Sequence, residues 1–154
     1  MNRISIITAA LLVAGLGAGS ASTWATERPG HAAFEYRESI MTVFKWYLGP
    51  MAGMAKGKIP YDQASFQHNA KELAKAASLD VLSGFPEGSI DEDSEAKPEI
   101  WQNWKKFEDK LEALRTESAK LAEIAAGGDQ QATVEQFKRT AGTCGGCHDD
   151  FRED

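Results

Sequence analysis

Apolar side chains recur at spacings of three and four residues in four separate stretches of the chain, which is typical of amphipathic helices. The first stretch weakens at Gly49-Pro50 and ends at Gly57–Pro60. Its stripe contains one arginine among apolar and aromatic side chains: Phe34, Arg37, Ile40, Met41, Phe44, Tyr47, Leu48 and Met51. Nowhere does the sequence alternate as a half-buried β-strand would. The pattern predicts an all-α fold.

Turn and capping residues separate the other three predicted helices. Asp62 is a good N-cap for the second, Pro98 opens the third, and Asp129 caps the fourth after a Gly-Gly turn. Between Ser83 and Lys97 the helical pattern breaks, which leaves a loop of about fifteen residues, long enough for a functional role. Two helices, a long crossing loop and two more helices predict an antiparallel four-helix bundle.

The start of the chain has the composition of an export signal. Arg3 precedes the uncharged apolar run Ile4–Gly19, and Thr23-Trp24-Ala25 offers a small-x-small cleavage site, with cleavage after Ala21 as the alternative. The run is short for a membrane span. We therefore predict a signal peptide over residues 1–25 and one mature domain over residues 26–154, with no membrane anchor after processing. The presequence resembles a bacterial one, so the expected location is the periplasm.

The charge balance narrows the class of partner. The chain has 17 basic and 23 acidic side chains and a formal net charge of −6. No basic cluster stands out along the sequence. An acidic chain of this kind argues against nucleic-acid binding, and most of these charges are expected to form a solvated surface.

The sequence TCGGCHDDF, residues 143–151, holds both cysteines of the chain, with a histidine directly after the second. On a helix Cys144 and Cys147 lie one turn apart and His148 lies four residues from Cys144, so all three project toward the same side. In an exported protein paired thiols usually oxidise, but a disulfide across so short a loop stabilises a fold little. A structural zinc site needs four ligands, and the two other histidines lie on a different part of the chain.

The pattern C-x-x-C-H is the attachment motif of c-type haem. The two thiols bond to the two vinyl groups of the porphyrin, and the adjacent imidazole reaches the iron from one face. A thioredoxin-like redox motif, which would begin a helix in a βαβ unit, stays open as the alternative. We predict one covalent haem c per chain. Because only Asp149–Asp154 follow the histidine, any sixth iron ligand has to come from an earlier helix, and the haem packs among the four helices.

Four segments together resemble the cytochromes c′, the class II c-type cytochromes. They are YRES at Tyr36–Ser39, LGPMAGMAKGKIPYD in the first turn, AKPEIW at Ala96–Trp101, and CGGCHDDFR at Cys144–Arg152. The resemblance implies a left-handed antiparallel four-helix bundle, usually a homodimer through the first two helices. It also implies a high-spin, five-coordinate haem with an apolar distal pocket that admits NO and CO.

The same resemblance assigns roles around the iron. Cys144 and Cys147 bind the porphyrin, and His148 is the proximal ligand. Arg152 matches the basic residue one helical turn beyond the histidine, beside the proximal face. Met41 matches the first-helix position that faces the vacant distal side, although a methionine in an apolar stripe is more often a packing residue.

Five more residues match positions at the edge of the haem in this family. Arg37 and Glu38 match residues near the haem edge and propionates, and Glu95 and Lys97 do so more loosely. Phe85 matches an aromatic residue that is often near the haem pocket. Arg37 is the most informative, because a buried guanidinium needs an anion and the propionates would provide one.

These observations predict a periplasmic haem protein that exchanges electrons with redox partner proteins and binds NO and CO. The alternative is a low-spin relative in which Met41 ligates the iron and the protein is purely an electron carrier. An enzyme such as a peroxidase is not expected, because the first-helix stripe offers Arg37 but no distal histidine. Surplus apolar side chains on the first two helices, with Trp46 and Met54 facing a partner, favour a homodimer.

Overall fold

Four long helices form an antiparallel bundle, as the hydrophobic pattern predicts. A computed structural model describes residues 30–153, so the predicted signal peptide lies outside the described residues. The helices are α1 (His31–Ala55), α2 (Gln63–Ala77), the one-turn α3 (Glu99–Gln102), α4 (Trp104–Ala126) and α5 (Gln130–Phe151). A 3₁₀ turn, Val81–Gly84, follows α2 and leads into the crossing loop. Within residues 30–153 no strand forms, and the all-α prediction is confirmed.

The predicted helix starts are confirmed by their hydrogen bonds. The Asp62 carboxylate accepts from the Ser65 N–H at 2.6 Å, and the Asp129 carboxylate accepts from the Ala132 N–H at 3.0 Å. Each bond satisfies one of the backbone donors that a first helical turn leaves without a partner. Gly57, just beyond α1, has a φ of 66°, a left-handed value that glycine adopts without steric cost.

The third predicted helix is not continuous, and the prediction was wrong on this point. Asn103 has φ −126° and ψ 42° and separates α3 from α4. Its side-chain amide donates to the Glu99 carbonyl oxygen at 3.1 Å. Asparagine competes for backbone hydrogen bonds in this way, which is why it disfavours helix interiors. The single turn before the break places Trp101 against the crossing loop, where its indole N–H donates to the Phe85 and Pro86 carbonyl oxygens.

The packing order of the helices leaves one side of the bundle open. α1 packs on α2, α2 on α4, and α4 on α5, around a core that includes Met51, Phe66, Leu73 and Leu121, all fully buried. α1 and α5 touch each other only lightly. Room for a ligand is therefore left between these two helices. No helix within residues 30–153 has the length and apolar character needed to cross a membrane.

Met54 does not face a partner, contrary to the prediction. It is only 6% exposed, and its sulfur accepts from the Asp62 N–H at 3.3 Å, because the chain entering α2 folds over the end of α1. Trp46, in contrast, is 73% exposed on α1.

Candidate functional site

A cavity of about 410 Å³ opens between α1, α4 and α5. Its surface is mainly apolar. The apolar faces of α1 and α5 pack against each other only lightly, so parts of them line the gap between the two helices instead. The lining residues are Met41, Phe44, Lys45, Leu48, Gly49, Ala52, Lys110, Leu111, Leu114, Thr143, Cys144, Cys147, His148 and Arg152.

The C-terminal motif lies on the α5 wall of this cavity. Cys144, Cys147 and His148 all line it, as their spacing on one helical face predicts. α4 clamps this part of α5, since the Lys110 ammonium donates to the Gly146 carbonyl oxygen at 2.7 Å. The Lys110 Nζ also lies 2.9 Å from the Asp150 Oδ2. The motif is therefore held on a rigid element rather than on a loop.

The two thiols do not have the surroundings of reactive redox cysteines. Burial raises the pKa of the Cys144 thiol, and burial raises the pKa of the Cys147 thiol to about 11, against the opposing effect of the Lys110 charge. Reactive cysteines have lowered pKa values in electropositive surroundings, so this geometry disfavours the redox-thiol alternative. Both thiols are free, and residues 30–153 contain no cluster of three or more His, Cys, Asp or Glu that could hold a metal ion.

The surroundings of the His148 imidazole favour its neutral form. Burial lowers its pKa, and the positive charge of Arg152 lowers it further. A neutral imidazole carries the free lone pair that a metal ligand needs. The two thiols and the imidazole face one mainly apolar cavity. This arrangement suits a porphyrin that is bound through its vinyl groups and its iron.

The α1 wall faces the same cavity with apolar side chains. Met41 is 36% exposed and lines the cavity, so it forms part of this wall and not of the packed core. Phe44, Leu48 and Ala52 continue the wall along the helix, and Lys45 is its one charged side chain. Among the described residues that line the cavity, none is acidic and His148 is the only histidine.

Known proteins share this arrangement. The family described as cytochrome C′ matches residues 32–152. A cytochrome c′ from Halomonas halodenitrificans is 36% identical over 126 residues, which are 78% of this chain and 95% of the relative. The chain belongs to the cytochrome c′ family. Proteins of this family carry covalently attached c-type haem, so the cofactor predicted from the motif is confirmed.

Solved cytochromes c′ have the same fold. A cytochrome c prime from Shewanella frigidimarina superimposes with a TM-score of 0.78 at 35% identity, over 83% of this chain and 98% of that one. A nitric oxide complex of a variant cytochrome c prime from Alcaligenes xylosoxidans superimposes with a TM-score of 0.73 at 30% identity, over 81% of this chain and 96% of that one. The family match over residues 32–152 spans the helices from α1 to α5, and so the family assignment applies to the bundle as a whole.

The residues predicted for the haem edge lie outside the cavity lining. Glu38 is exposed on α1. Phe85 is buried and packs edge-on against Phe107, with ring centroids 4.6 Å apart. Lys97 is half-buried and donates its N–H to the Phe151 carbonyl oxygen at 3.0 Å. Their contacts with the haem stay predictions.

Arg37 is buried, as its place in the apolar stripe suggests, and the structure gives it acceptors within the protein. Its guanidinium donates to the Gly84 carbonyl oxygen at 2.8 Å and to the carbonyl and hydroxyl oxygens of Ser89 at 2.9 and 3.0 Å. It also lies over the Phe85 ring, 5.2 Å from the centroid. Gly84 is needed at this contact, because a Cβ there would lie 2.5 Å from Tyr36 Cδ1. Arg37 thus fixes the crossing loop on α1, and its predicted propionate contact stays untested.

Several residues that line the cavity were not assigned to the site from the sequence, and two of them are charged, Lys45 and Lys110. Lysines usually mark a solvated helix face, yet a long aliphatic stem can cover apolar surface while the ammonium reaches water or a carbonyl group. The available signal was spacing. Lys45 lies four residues after Met41, and Lys110 lies three residues after Phe107 and four before Leu114, so both fall on the apolar face of their helix.

Proposed function

We propose that this chain is an exported, periplasmic haem protein that exchanges electrons and binds NO and CO at a five-coordinate, high-spin iron. The observation that carries the proposal is the cavity itself, which offers one imidazole, from α5, and an apolar wall, from α1. A haem with one axial ligand has a coordination position open to a small molecule. We propose no catalytic role, since the cavity lining contains no acidic side chain and no second histidine for acid–base chemistry.

Each residue of the site has a separate task in this proposal. Cys144 and Cys147 would hold the porphyrin as thioethers, each S–H having added across one vinyl double bond. His148 would bind the iron through its imidazole, and Met41 would line the facing wall without bonding to the metal. The haem supplies reversible one-electron chemistry and an open site for a diatomic gas. The protein excludes water from that site with the apolar side chains of α1, α4 and α5.

The choice of gas follows from the polarity of the distal side. Stable oxygen binding needs a distal hydrogen-bond donor, whereas NO and CO bind without one. The α1 wall consists mainly of aliphatic and aromatic side chains, and its charged residue, Lys45, is largely exposed. The nitric oxide complex of the Alcaligenes xylosoxidans relative supports NO as a ligand of this protein.

A second function stays in competition because Met41 lines the cavity. If its sulfur bonds to the iron, the protein is a low-spin electron carrier with no free coordination site. Methionine is flexible and fills gaps in apolar surroundings, which accounts for its position without any bond to the metal. We therefore propose the five-coordinate state.

A carbon monoxide titration of the reduced protein tests the proposal. We expect one CO per haem, with a large change in the Soret band. A reduced protein whose spectrum does not respond to excess CO has a blocked iron, and would support the electron carrier instead. Free haem in solution also binds CO. The titration therefore uses a preparation in which acid-acetone extraction of a separate sample removes no haem from the polypeptide.

We also propose a homodimer formed through α1 and α2, as the family resemblance implies. Trp46 is 73% exposed, and Val43 lies beside it one turn earlier on α1 at 37% exposure. Covering such side chains would remove apolar surface from water. Sedimentation at tens of micromolar is expected to give a dimer, and Trp46→Lys is expected to give a monomer. A wild-type monomer at that concentration would remove this part of the proposal.

A further inference from the structure

The end of α5 is tied to the crossing loop just past the haem motif. The backbones of Ala96 and Arg152 pair as an antiparallel bridge. On one side of the bridge the Lys97 N–H donates to the Phe151 carbonyl oxygen at 3.0 Å, and on the other the Glu153 N–H donates to the Glu95 carbonyl oxygen at 2.7 Å. This pairing fixes the position of residue 95 relative to residue 152, although the two are far apart in sequence.

The loop is also anchored at its other end, on α1. The Arg37 guanidinium donates to the hydroxyl oxygens of Ser89 and Ser94, at 3.0 and 3.3 Å. The Ser94 hydroxyl oxygen accepts a second hydrogen bond, from the Ala96 N–H, at 3.2 Å. The segment that carries Glu95 is therefore held between a buried arginine on one side and the end of α5 on the other.

The Glu95 side chain uses this fixed position to bind Arg152. Arg152 Nε donates to Glu95 Oε2 at 2.7 Å, a short charge-assisted hydrogen bond. Arg152 lines the haem cavity together with His148, which lies four residues earlier on the same helix. Glu95 does not line the cavity, so any influence it has on the α5 wall passes through the arginine.

We propose that Glu95 is a positioning residue for Arg152, holding the guanidinium beside the proximal side of the site and offsetting its positive charge there. The inference rests on the proposed ligation of iron by His148. Without the carboxylate, the arginine is free to take other rotamers, and the cavity wall gains an uncompensated positive charge. A cation close to the iron disfavours the ferric state relative to the ferrous state, and so raises the reduction potential.

The pair is suited to a test by substitution because it contributes little to folding. The two side chains are 63% and 49% exposed, and exposed ion pairs add little stability. The backbone bridge at Ala96 does not depend on the side chain of residue 95. Glu95→Gln is therefore expected to fold and to load haem like the wild type.

The experiment compares five full-length holoproteins: wild type, Glu95→Gln, Arg152→Gln, the double variant, and Glu87→Gln. The last removes an exposed carboxylate from the same loop and serves as the control for net charge. The iron–imidazole stretching frequency of the reduced form reports on the proximal ligand, and the reduction potential reports on the local charge. We expect Glu95→Gln to shift the frequency and to raise the potential more than the control does. In the Arg152→Gln background, the same substitution should leave the frequency nearly unchanged.

Two results overturn the inference alone. If the iron–imidazole frequency is the same in Glu95→Gln as in the wild type, the ion pair does not influence the proximal side. If Glu95→Gln shifts the frequency equally with and without Arg152, Glu95 does not act through the arginine. A reduced wild-type protein with no iron–imidazole stretch overturns the proposed ligation and this inference with it. The wild-type spectrum therefore separates a failure of the proposed function from a failure of the positioning role.

Discussion

Replacing Met41 with alanine is expected to speed CO binding to the reduced protein about tenfold or more. Met41 lines the cavity on its α1 side, which the proposal assigns to the distal face of the haem, so an entering ligand is expected to displace its side chain. Moving a side chain off its rotamer costs about 0.5–1.5 kcal/mol for each torsion, and a barrier lower by about 1.4 kcal/mol gives a tenfold faster rate. Flash photolysis or stopped-flow mixing with CO measures this rate. Because no iron ligand is removed, the spin state should not change.

Ile90→Ala is the matched control for this experiment. It truncates an apolar side chain that is similarly exposed, does not line the cavity, and lies outside the proposed dimer surface on α1 and α2. Its CO association rate should stay close to the wild-type rate. If Met41→Ala instead converts a low-spin haem into a high-spin one, then Met41 was an iron ligand and the five-coordinate proposal is wrong. If both variants bind CO at the same rate, the Met41 side chain does not limit the entry of the ligand.

Removing both cysteines is expected to abolish covalent haem attachment completely. In Cys144→Ala/Cys147→Ala no thiol remains on the described chain to bond to a vinyl group. Denaturing mass spectrometry should then give the mass of the polypeptide alone, whereas each single variant retains one thioether and the mass of one haem. Acid-acetone extraction should remove all haem from the double variant and none from the wild type.

Thr143→Ala is the control for the cysteine variants, since it changes a cavity residue beside Cys144 without removing a thiol. Its denatured mass should include the haem. All variants are produced in a host that is competent in haem attachment. A double variant that still carries unextractable haem would show that the porphyrin is bound somewhere other than the C-x-x-C-H motif.

The helices and the haem wall of α5 could be predicted because both depend on local spacing. Burial of one helix face imposes a period of three and four residues, and that period located all four long helices. The same geometry put Cys144, Cys147 and His148 on one side of α5 before any fold was known. Capping was predictable for a similar reason, since Asp62 and Asp129 act on backbone N–H groups three residues away.

Features that depend on distant partners were not predictable in this way. The sequence indicates that Arg37 is buried and needs acceptors, but these belong to Gly84 and Ser89, in a loop whose path no period determines. In the sequence Met54 counts among the apolar side chains that exceed the needs of one bundle. In the structure the residues that lead into α2 cover it. The ion pair between Glu95 and Arg152 spans 57 positions and depends on a single backbone bridge. Tertiary contacts of this kind need the structure.

The spin state of the resting ferric protein is the decisive measurement for the proposed site. Optical and electron paramagnetic resonance spectra of the purified wild type, without added ligand, report how many axial ligands the iron has. We predict a high-spin spectrum, because His148 is the one ligand that the proposal assigns to the iron. A low-spin spectrum with a methionine–iron charge-transfer band, lost in Met41→Ala, would contradict it.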